Sequence, residues 1–288
     1  MINFNIVAIS ALNTSKRTKE VIELCSEVLI NKGIKVVLSN NLSNLSLPKV
    51  PCRSDAYILA NADILIAIGG DGTMLHLSKR FGSHGLPVLG INLGNLGFLT
   101  DISPENLTTS INDLLSGSFR NEKRIFLEAR AMKQKFLALN EMIIHSGAIA
   151  KMIEYELYVD KNFVFRQKAD GLIISTSTGS TAYSLSAGGP IIHPLVDAIV
   201  VQPMFPHNLS SRSLIITSKS AVQIRITGKN SRAKLNHDGN DALNLSYGDS
   251  IKIYKSKSEL ILLHPKEHDF YSSCREKLGW SATYPKKD

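Results

Sequence analysis

Ile64-Leu65-Ile66-Ala67-Ile68-Gly69-Gly70-Asp71-Gly72-Thr73 runs five apolar residues straight into three glycines around one carboxylate. An apolar, β-rich run that ends in glycine reads as a buried strand whose C-terminal end enters a loop that another group approaches closely. A phosphate fits that loop. Glycines let bare N–H groups face an anion, and a lone aspartate among them can accept a proton or hold a hydrated Mg²⁺. A tight strand-to-helix turn with a solvated Asp71 is the plainer reading of the same residues, so the flanking chain has to decide.

Outward from this stretch, residues 1 to about 105 alternate strand-like and helix-like patterns, which predicts an α/β unit with a mainly parallel sheet. Residues 4–9 read as a first strand, and Val21, Leu24, Cys25, Val28 and Leu29 recur at helical spacing. Residues 34–38 give a second strand, and 40–53, with Pro48 and Pro51, read as a loop. Residues 62–68 lead into the glycine loop, 74–81 form a short helix and 87–91 another buried strand. That strand also ends in glycines, Gly90-Ile91-Asn92-Leu93-Gly94-Asn95-Leu96-Gly97-Phe98-Leu99. Two glycine loops after two parallel strands share one sheet edge, where ligands of open α/β sheets bind.

From about residue 120 the pattern changes to short strands without long helices between them, which predicts an all-β layer or sandwich as a second domain. Ile153, Tyr155, Leu157 and Val159 alternate with Glu154, Glu156 and Tyr158, and Asp160-Lys161-Asn162 separates this strand from 163–165. Further strands are expected at 126–131, 141–145, 172–175, 214–217, 222–226, 251–254 and 260–263.

A chain of 288 residues can bury one large core or two ordinary ones, and 43% hydrophobic with 20% charged residues is a globular composition. Three scattered cysteines, Cys25, Cys52 and Cys274, predict reduced thiols in a cytoplasmic protein and neither a disulfide framework nor a zinc site. The first ten residues carry no basic group, and no apolar run approaches the ~18 residues that span a bilayer, so neither secretion nor a membrane is expected. The formal charge of +8 is spread along the chain, with Lys16, Arg17 and Lys19 its densest group, so no nucleic-acid partner is expected either.

Two further constellations carry chemistry. Asn140-Glu141 opens a strand pattern and offers donor and acceptor groups for ribose hydroxyls or an adenine edge, although plain surface solvation accounts for the pair equally well. In the segment from Asp170-Gly171 to Gly188-Gly189-Pro190, seven hydroxyl residues fall between Ser175 and Tyr183, interrupted only by Gly179 and Ala182. Small hydroxyls at this density suit the lining of a nucleotide pocket better than a core; a Ser/Thr turn capping a helix is the competing reading. Gly-x4-Gly-Lys-[Ser/Thr], Gly-x-Gly-x-x-Gly and Gly-x-Ser-x-Gly are all missing, which removes the common P-loop, the usual hydride-transfer fingerprint and the hydrolase elbow. His264 and His268 are separated by Pro265 and read as surface histidines.

Gly69-Gly70-Asp71-Gly72-Thr73, Asn95-Leu96-Gly97-Phe98-Leu99, Asn140-Glu141 and residues 170–190, in that order and spacing, resemble the bacterial NAD kinases. The similarity continues through Pro203-Met204-Phe205-Pro206-His207 and Leu278-Gly279-Trp280. Lipid kinases and phosphofructokinases carry a similar Gly-Gly-Asp-Gly loop; the Thr-Gly-Ser-Thr-Ala-Tyr-Ser segment separates the chain from them.

The resemblance implies a Rossmann-like α/β domain, residues 1–105 with 265–288, and a β-sandwich NAD-binding domain, residues 106–264, the C-terminal segment returning to the first domain. It implies transfer of the ATP γ-phosphoryl group to the 2′-hydroxyl of the adenosine ribose of NAD, with Mg²⁺ or another divalent cation held by substrate phosphates rather than by assigned residues. Asp71 would be the general base, with Gly72 and His76 in the same loop. Asn140 and Glu141 would hold the adenosine of NAD, and Asp170, Thr178, Thr181, Ala182, Tyr183, Ser184, Leu185 and Ser186 would line the dinucleotide pocket. Lys151, Lys168 and Asn240 match further contact positions, and the family assembles as homodimers or homotetramers.

The chain departs from the family at Ser177, where proline is usual, which predicts a looser loop. Two rivals remain: a lipid or sugar kinase on the same glycine loop, and a non-catalytic NAD(P)-binding sensor, which has little use for Asp71.

Overall fold

The computed structural model describes residues 4–45, 47, 50–94, 97–147, 151–208, 210–229 and 232–280. Asn95 and Leu96 of the second glycine loop lie outside the described residues. The first part of the chain runs β1 (Ile6–Ala11), α1 (Lys16–Asn31), β2 (Lys35–Ser39), β3 (Cys52–Arg53), α2 (Asp55–Asn61), β4 (Ile64–Ile68), α3 (Asp71–Arg80), β5 (Val88–Ile91) and α4 (Leu107–Ser116). Next come β6 (Phe119–Ala131), β7 (Gln134–Ala138), β8 (Glu141–His145), β9 (Ile153–Val159) and β10 (Asn162–Thr176). After α5 (Tyr183–Ser186), the chain forms β11 (Ala198–Pro206), β12 (Leu214–Thr217), β13 (Val222–Ile226), β14 (Ala233–His237), β15 (Asn240–Leu245), β16 (Ser250–Pro265) and α6 (Phe270–Leu278).

The chain divides into two compact units, residues 1–123 with 260–288 and residues 124–259. The sequence pattern puts the first change of unit at 105/106. In the structure α4 stays with the first unit, because Leu107, Ile111 and Leu114 bury themselves in its core.

In the first unit the strands lie in the order β3-β2-β1-β4-β5-β16, every pair parallel. Strands buried on both faces need continuous apolar runs, and β4 is buried at all five positions. α1 starts at Ser15, whose hydroxyl accepts from Thr18 N at 3.2 Å, and it buries Val21, Ile22, Cys25 and Leu29. Leu24, counted on that face by spacing, is exposed, and Ile22 takes its place.

Residues 40–53 are not a plain loop. Leu42, Leu45 and Val50 are buried in the core, and the two residues of β3 pair with β2. Pro51 leads into β3 and its carbonyl accepts from Leu38 N at 3.0 Å, while Pro48 lies outside the described residues. The parallel order brings the C-terminal ends of β4, β5 and β16 to one edge, and both glycine loops lie there.

The second unit is antiparallel. β10 pairs with β9 through its first half, up to Ala169, and with β8 and β11 from there onward, so one 15-residue strand serves two layers. Residues 251–254 and 260–263, read as two strands, are one strand, β16, which carries the chain back into the first unit. The β9 alternation holds: Ile153, Tyr155 and Leu157 are fully buried and the glutamates between them are not. Asp160 and Lys161 form a two-residue hairpin with φ of 50° and 70°, the left-handed pair that a tight turn between twisted strands requires.

Glu128 of β6 is nearly buried and accepts from Arg130, Lys135 and Tyr254. Burial raises its carboxyl, and the bonds from Lys135, Tyr254 and Arg130 outweigh it, bringing the group from 4.5 to about 2. A depressed carboxyl stabilises the fold fully above its unfolded value, and the contribution is lost as pH falls through 4.5 toward 2. Glu128→Gln is expected to cost on the order of 2 kcal/mol at pH 7. The gap from wild type should narrow below pH 4.5 in denaturant titrations; a gap constant from pH 7 to 3 would refute the role.

Candidate functional site

Asp71 is the first residue of α3, with Gly70 as the N-cap. A helix leaves its first N–H groups without intrahelical carbonyls, so Asp71 and Gly72 bring bare donors and partial positive charge to the end of β4. The Asp71 carboxylate is held from the second glycine loop: Phe98 N donates to Oδ2 and Leu99 N to Oδ1, both at 3.0 Å. A Cβ on Gly97 would overlap Asp71 Oδ1, so only glycine lets the two loops approach this closely.

Lys277 of α6 places Nζ 2.7 Å from Oδ2 and 5.0 Å from the Phe98 ring centroid. Oδ2 thus accepts from Phe98 and Lys277, while Oδ1 accepts from Leu99 alone among the described residues and keeps a lone pair for another donor. Lys277 was not among the residues expected from sequence. It lies 206 positions from Asp71, and only the return of the C-terminal segment brings it there.

His76 lies on α3 beyond the glycine loop. Burial, and then the charges of Arg80 and Lys79, hold its imidazole below the ordinary histidine range, so it is neutral at pH 7. Arg80 anchors α3 to α2 through a two-pronged pair with Asp55, at 2.6 and 2.5 Å.

In the second unit, the backbone of Asn140-Glu141 is held by Asp238. That carboxylate accepts from Leu139 N at 2.8 Å, Asn140 N at 2.9 Å and Glu141 N at 3.1 Å. Asp238 and Gly239 form the β14–β15 turn with φ of 46° and 78°. Asn240, next along, closes the turn with bonds to the carbonyls of His237 and Asp238. Asn140 and Glu141 are therefore held by one carboxylate, with Asn240 on the turn that carries it, and Glu141 is buried rather than solvated. Asp238 carries no motif of its own; an Asp-Gly turn was the only local signal for it.

The hydroxyl-rich segment divides into two parts. Residues 175–180 are all buried, contrary to the expectation that such small polar side chains avoid a core. They are buried because their hydroxyls satisfy backbone groups. Thr176 Oγ1 donates to Leu139 O at 2.7 Å and accepts from Gly179 N at 3.0 Å; Ser175 donates to Asn140 O at 3.2 Å. Ser180 donates to Ser177 O at 2.7 Å and accepts from Ile192 N at 3.0 Å. A Cβ on Gly179 would overlap the Asn140 carbonyl, so the loop packs directly under that residue.

Ser177 is not a loosening substitution. Its φ of −59° is one that proline would impose, and its hydroxyl donates to the carbonyl of Val196.

Thr178, Thr181, Ala182, Tyr183, Ser184, Leu185 and Ser186 follow as a 3₁₀ turn and the short α5. Arg124 Nη1 donates to Thr178 Oγ1 at 3.2 Å, and Tyr183 and Ser186 are exposed. Asp170 sits within β10 and its carbonyl accepts from Ser146 N. Lys168 lies 3.7 Å from Glu154 across the β9–β10 pair and is largely exposed, and Lys151 is exposed just before β9. No hydrogen bond joins either lysine to Asn140 among the described residues.

A parallel α/β unit with a glycine-framed carboxylate at its strand ends, followed by an antiparallel β unit, defines a two-domain protein of the nucleotide-binding class. Residues 6–119 match the family model of the ATP-NAD kinase N-terminal domain, and residues 139–264 that of the C-terminal domain. The chain belongs to the NAD kinase family. It is 45% identical to the NAD kinase of Wigglesworthia glossinidia brevipalpis over 264 residues, 90% of each chain. It is 42% identical to that of Salmonella choleraesuis (strain SC-B67) over 265 residues, 90% of this chain and 91% of the other.

Among solved structures, yeast NADH kinase complexed with NADH superposes with a TM-score of 0.90 at 28% identity, covering 100% of this chain and 91% of that one. An NAD kinase from Archaeoglobus fulgidus in complex with ATP gives 0.74 at 26% identity, covering 96% and 97%.

Proposed function

We propose that this protein transfers the γ-phosphoryl group of ATP to the 2′-hydroxyl of the adenosine ribose of NAD, making NADP. The observation that carries this reading is the Asp71 carboxylate, fixed by two backbone N–H groups and one lysine with a lone pair left on Oδ1. Phosphoryl transfer depends on alignment and charge neutralisation more than on covalent chemistry. Asp71 Oδ1 accepts the proton of the ribose hydroxyl as its oxygen attacks phosphorus, and the N–H groups at the start of α3 take phosphate oxygens. The backbone-held Asn140, Glu141 and Asn240, with residues 178–186, hold the dinucleotide, and Asp170, Lys151 and Lys168 supply further contacts. His76, neutral at pH 7, lends a hydrogen-bonding group without charge.

The glycine loop offers a single carboxylate, and that group is already engaged by three donors. Such a donor set fits Mg²⁺ carried by the substrate phosphates, with Asp71 beside it, better than a protein-built cage. When bound, the cation neutralises triphosphate charge. Three unpaired cysteines support a cytoplasmic location as part of this reading, and self-association as a homodimer or homotetramer belongs to it as well.

The test is purified protein with ATP, Mg²⁺ and NAD, coupled to an NADP-specific dehydrogenase. NADP formation is expected, and NADH is the second acceptor to try, given the likeness to a NADH kinase. Tight NAD binding without NADP would favour the sensor; phosphorylation of a non-nucleotide alcohol in its place would favour the other kinase class.

Lys277 Nζ, with Phe98 N and Leu99 N, holds the Asp71 carboxylate in the orientation that leaves the Oδ1 lone pair toward the ribose hydroxyl. Lys277→Met is expected to lower kcat by about 10²-fold, what a misplaced reacting group costs, with KM for NAD little changed. Stopped assays across NAD concentrations separate the two constants, and an unchanged kcat would confine Lys277 to a structural role.

A further inference from the structure

His264 and His268, which spacing alone makes surface residues, are buried in the first unit. Their rings stack 4.0 Å apart at 15°, and both Nδ1 atoms lie against one oxygen, Asp101 Oδ2, at 2.7 and 2.8 Å. The other oxygen, Asp101 Oδ1, is buried and has no hydrogen-bond partner among the described residues, although the Asp101 side chain is only 8% exposed. A buried carboxylate oxygen left without a donor is costly, and a cation relieves it. Beside the cluster lies a cavity of about 330 Å³ lined by Asp101, His268, Asn106, Asp113, Glu267 and Asp269. Asp101 and His268 line this cavity, and the fully buried His264 does not, so the cavity offers an ion an entry path on the Asp101 and His268 side.

We propose that Asp101, His264 and His268 form a binding site for a borderline divalent transition metal ion of the Zn²⁺ class. Their three ligand atoms lie within 4.8 Å of one another. Two imidazoles and one carboxylate select zinc-like ions over Mg²⁺, which prefers an all-oxygen octahedron. With metal–ligand distances of about 2.0–2.1 Å, tetrahedral coordination needs each Asp–His contact to open by roughly half an ångström. In the metal-bound site each imidazole offers the Nδ1 lone pair and carries its ring proton on Nε2, so no co-reactant is needed. Water from the cavity completes the coordination.

The site has a consequence for the reaction loop. His268 is followed directly by Asp269, whose carboxylate caps α6 through Tyr271 N and Ser272 N, and α6 carries Lys277 to Asp71. An ion held here fixes the start of the helix that positions that lysine.

The test uses the full-length protein without nucleotide, titrated with Zn²⁺ by calorimetry and with Co²⁺ as a visible-absorption probe. One ion per chain is expected, with ligand-field absorption of a tetrahedral histidine-carboxylate site and a higher Tm on adding Zn²⁺. His268→Gln, at the cavity rim, and Asp101→Asn are expected to weaken binding by about 100-fold or more, since losing even an outer-shell partner costs up to that. Circular dichroism and NAD binding serve as the folding checks, so loss of the ion is read on folded protein. No Co²⁺ spectrum in wild type, or Zn²⁺ affinity unchanged in the folded variants, would overturn the site. Neither result depends on NADP formation, so the metal site and the kinase reading fail independently.

Discussion

Asp71→Asn is expected to reduce kcat on the order of 10²–10⁴-fold, the usual contribution of a general base, while NAD binding stays within about twofold of wild type. The substitution keeps size and shape but removes the acceptor that takes the proton. It also disturbs the anchoring, because Oδ2 receives Phe98 N and Lys277 Nζ and Oδ1 receives Leu99 N. An amide nitrogen must face one of those donors, and the arrangement with least conflict keeps the amide oxygen toward Phe98 and Lys277. The position that faced substrate then carries N–H groups, which cannot accept a proton at any pH. Steady-state rates beside NAD titration calorimetry check both halves of the expectation. Wild-type turnover in this variant would remove Asp71 from the base role.

Asp238→Ala is expected to destabilise the protein by about 3 kcal/mol and to raise KM for NAD about tenfold, equal to about 1.4 kcal/mol, with kcat largely retained. One carboxylate accepts from three consecutive N–H groups, those of Leu139, Asn140 and Glu141. Charge-assisted bonds of this kind contribute more than neutral ones, and their loss strands three donors at the foot of a buried strand. The Asn140 carbonyl also receives Ser175 and Thr176 and lies directly against Gly179, so movement of this turn passes to the hydroxyl loop. Denaturant unfolding and the KM-against-kcat split are the readouts. Equal loss in both kinetic constants would mean that Asp238 does more than hold the turn.

Local pattern was a good guide wherever one physical demand dominated. β9, β8, β12 and β13 occupy the expected residues because each has one face in a core and one outside, or ends at a turn residue. β11 gives no strand signal in the sequence because its first seven residues are all buried, which erases alternation. Residues 40–53 read as a loop yet differ from one in the structure because proline reports backbone geometry and not burial, and Leu42 packs fully in the core there. α2, only seven residues long, buries a single side chain, too little to show a period.

By itself the sequence determined the family, the α/β-then-β order of the fold, and the residues able to meet a phosphate and a dinucleotide, because glycine loops and dense hydroxyls are local chemistry. Tertiary structure alone decided what holds those residues. Lys277 reaches Asp71 across 206 positions, Asp238 reaches Leu139 across 99, and His264 meets Asp101 across 163. Such pairs leave no periodic or spacing signal; parallel strand order and the returning C-terminal segment bring the first and third together, and the antiparallel pairing of β14 with β8 brings Asp238 to Leu139. Of the three, the His264–Asp101 pair is buried, where a carboxylate must find its donors or lose its charge, while Asp71 and Asp238 are partly exposed and are held by backbone N–H groups.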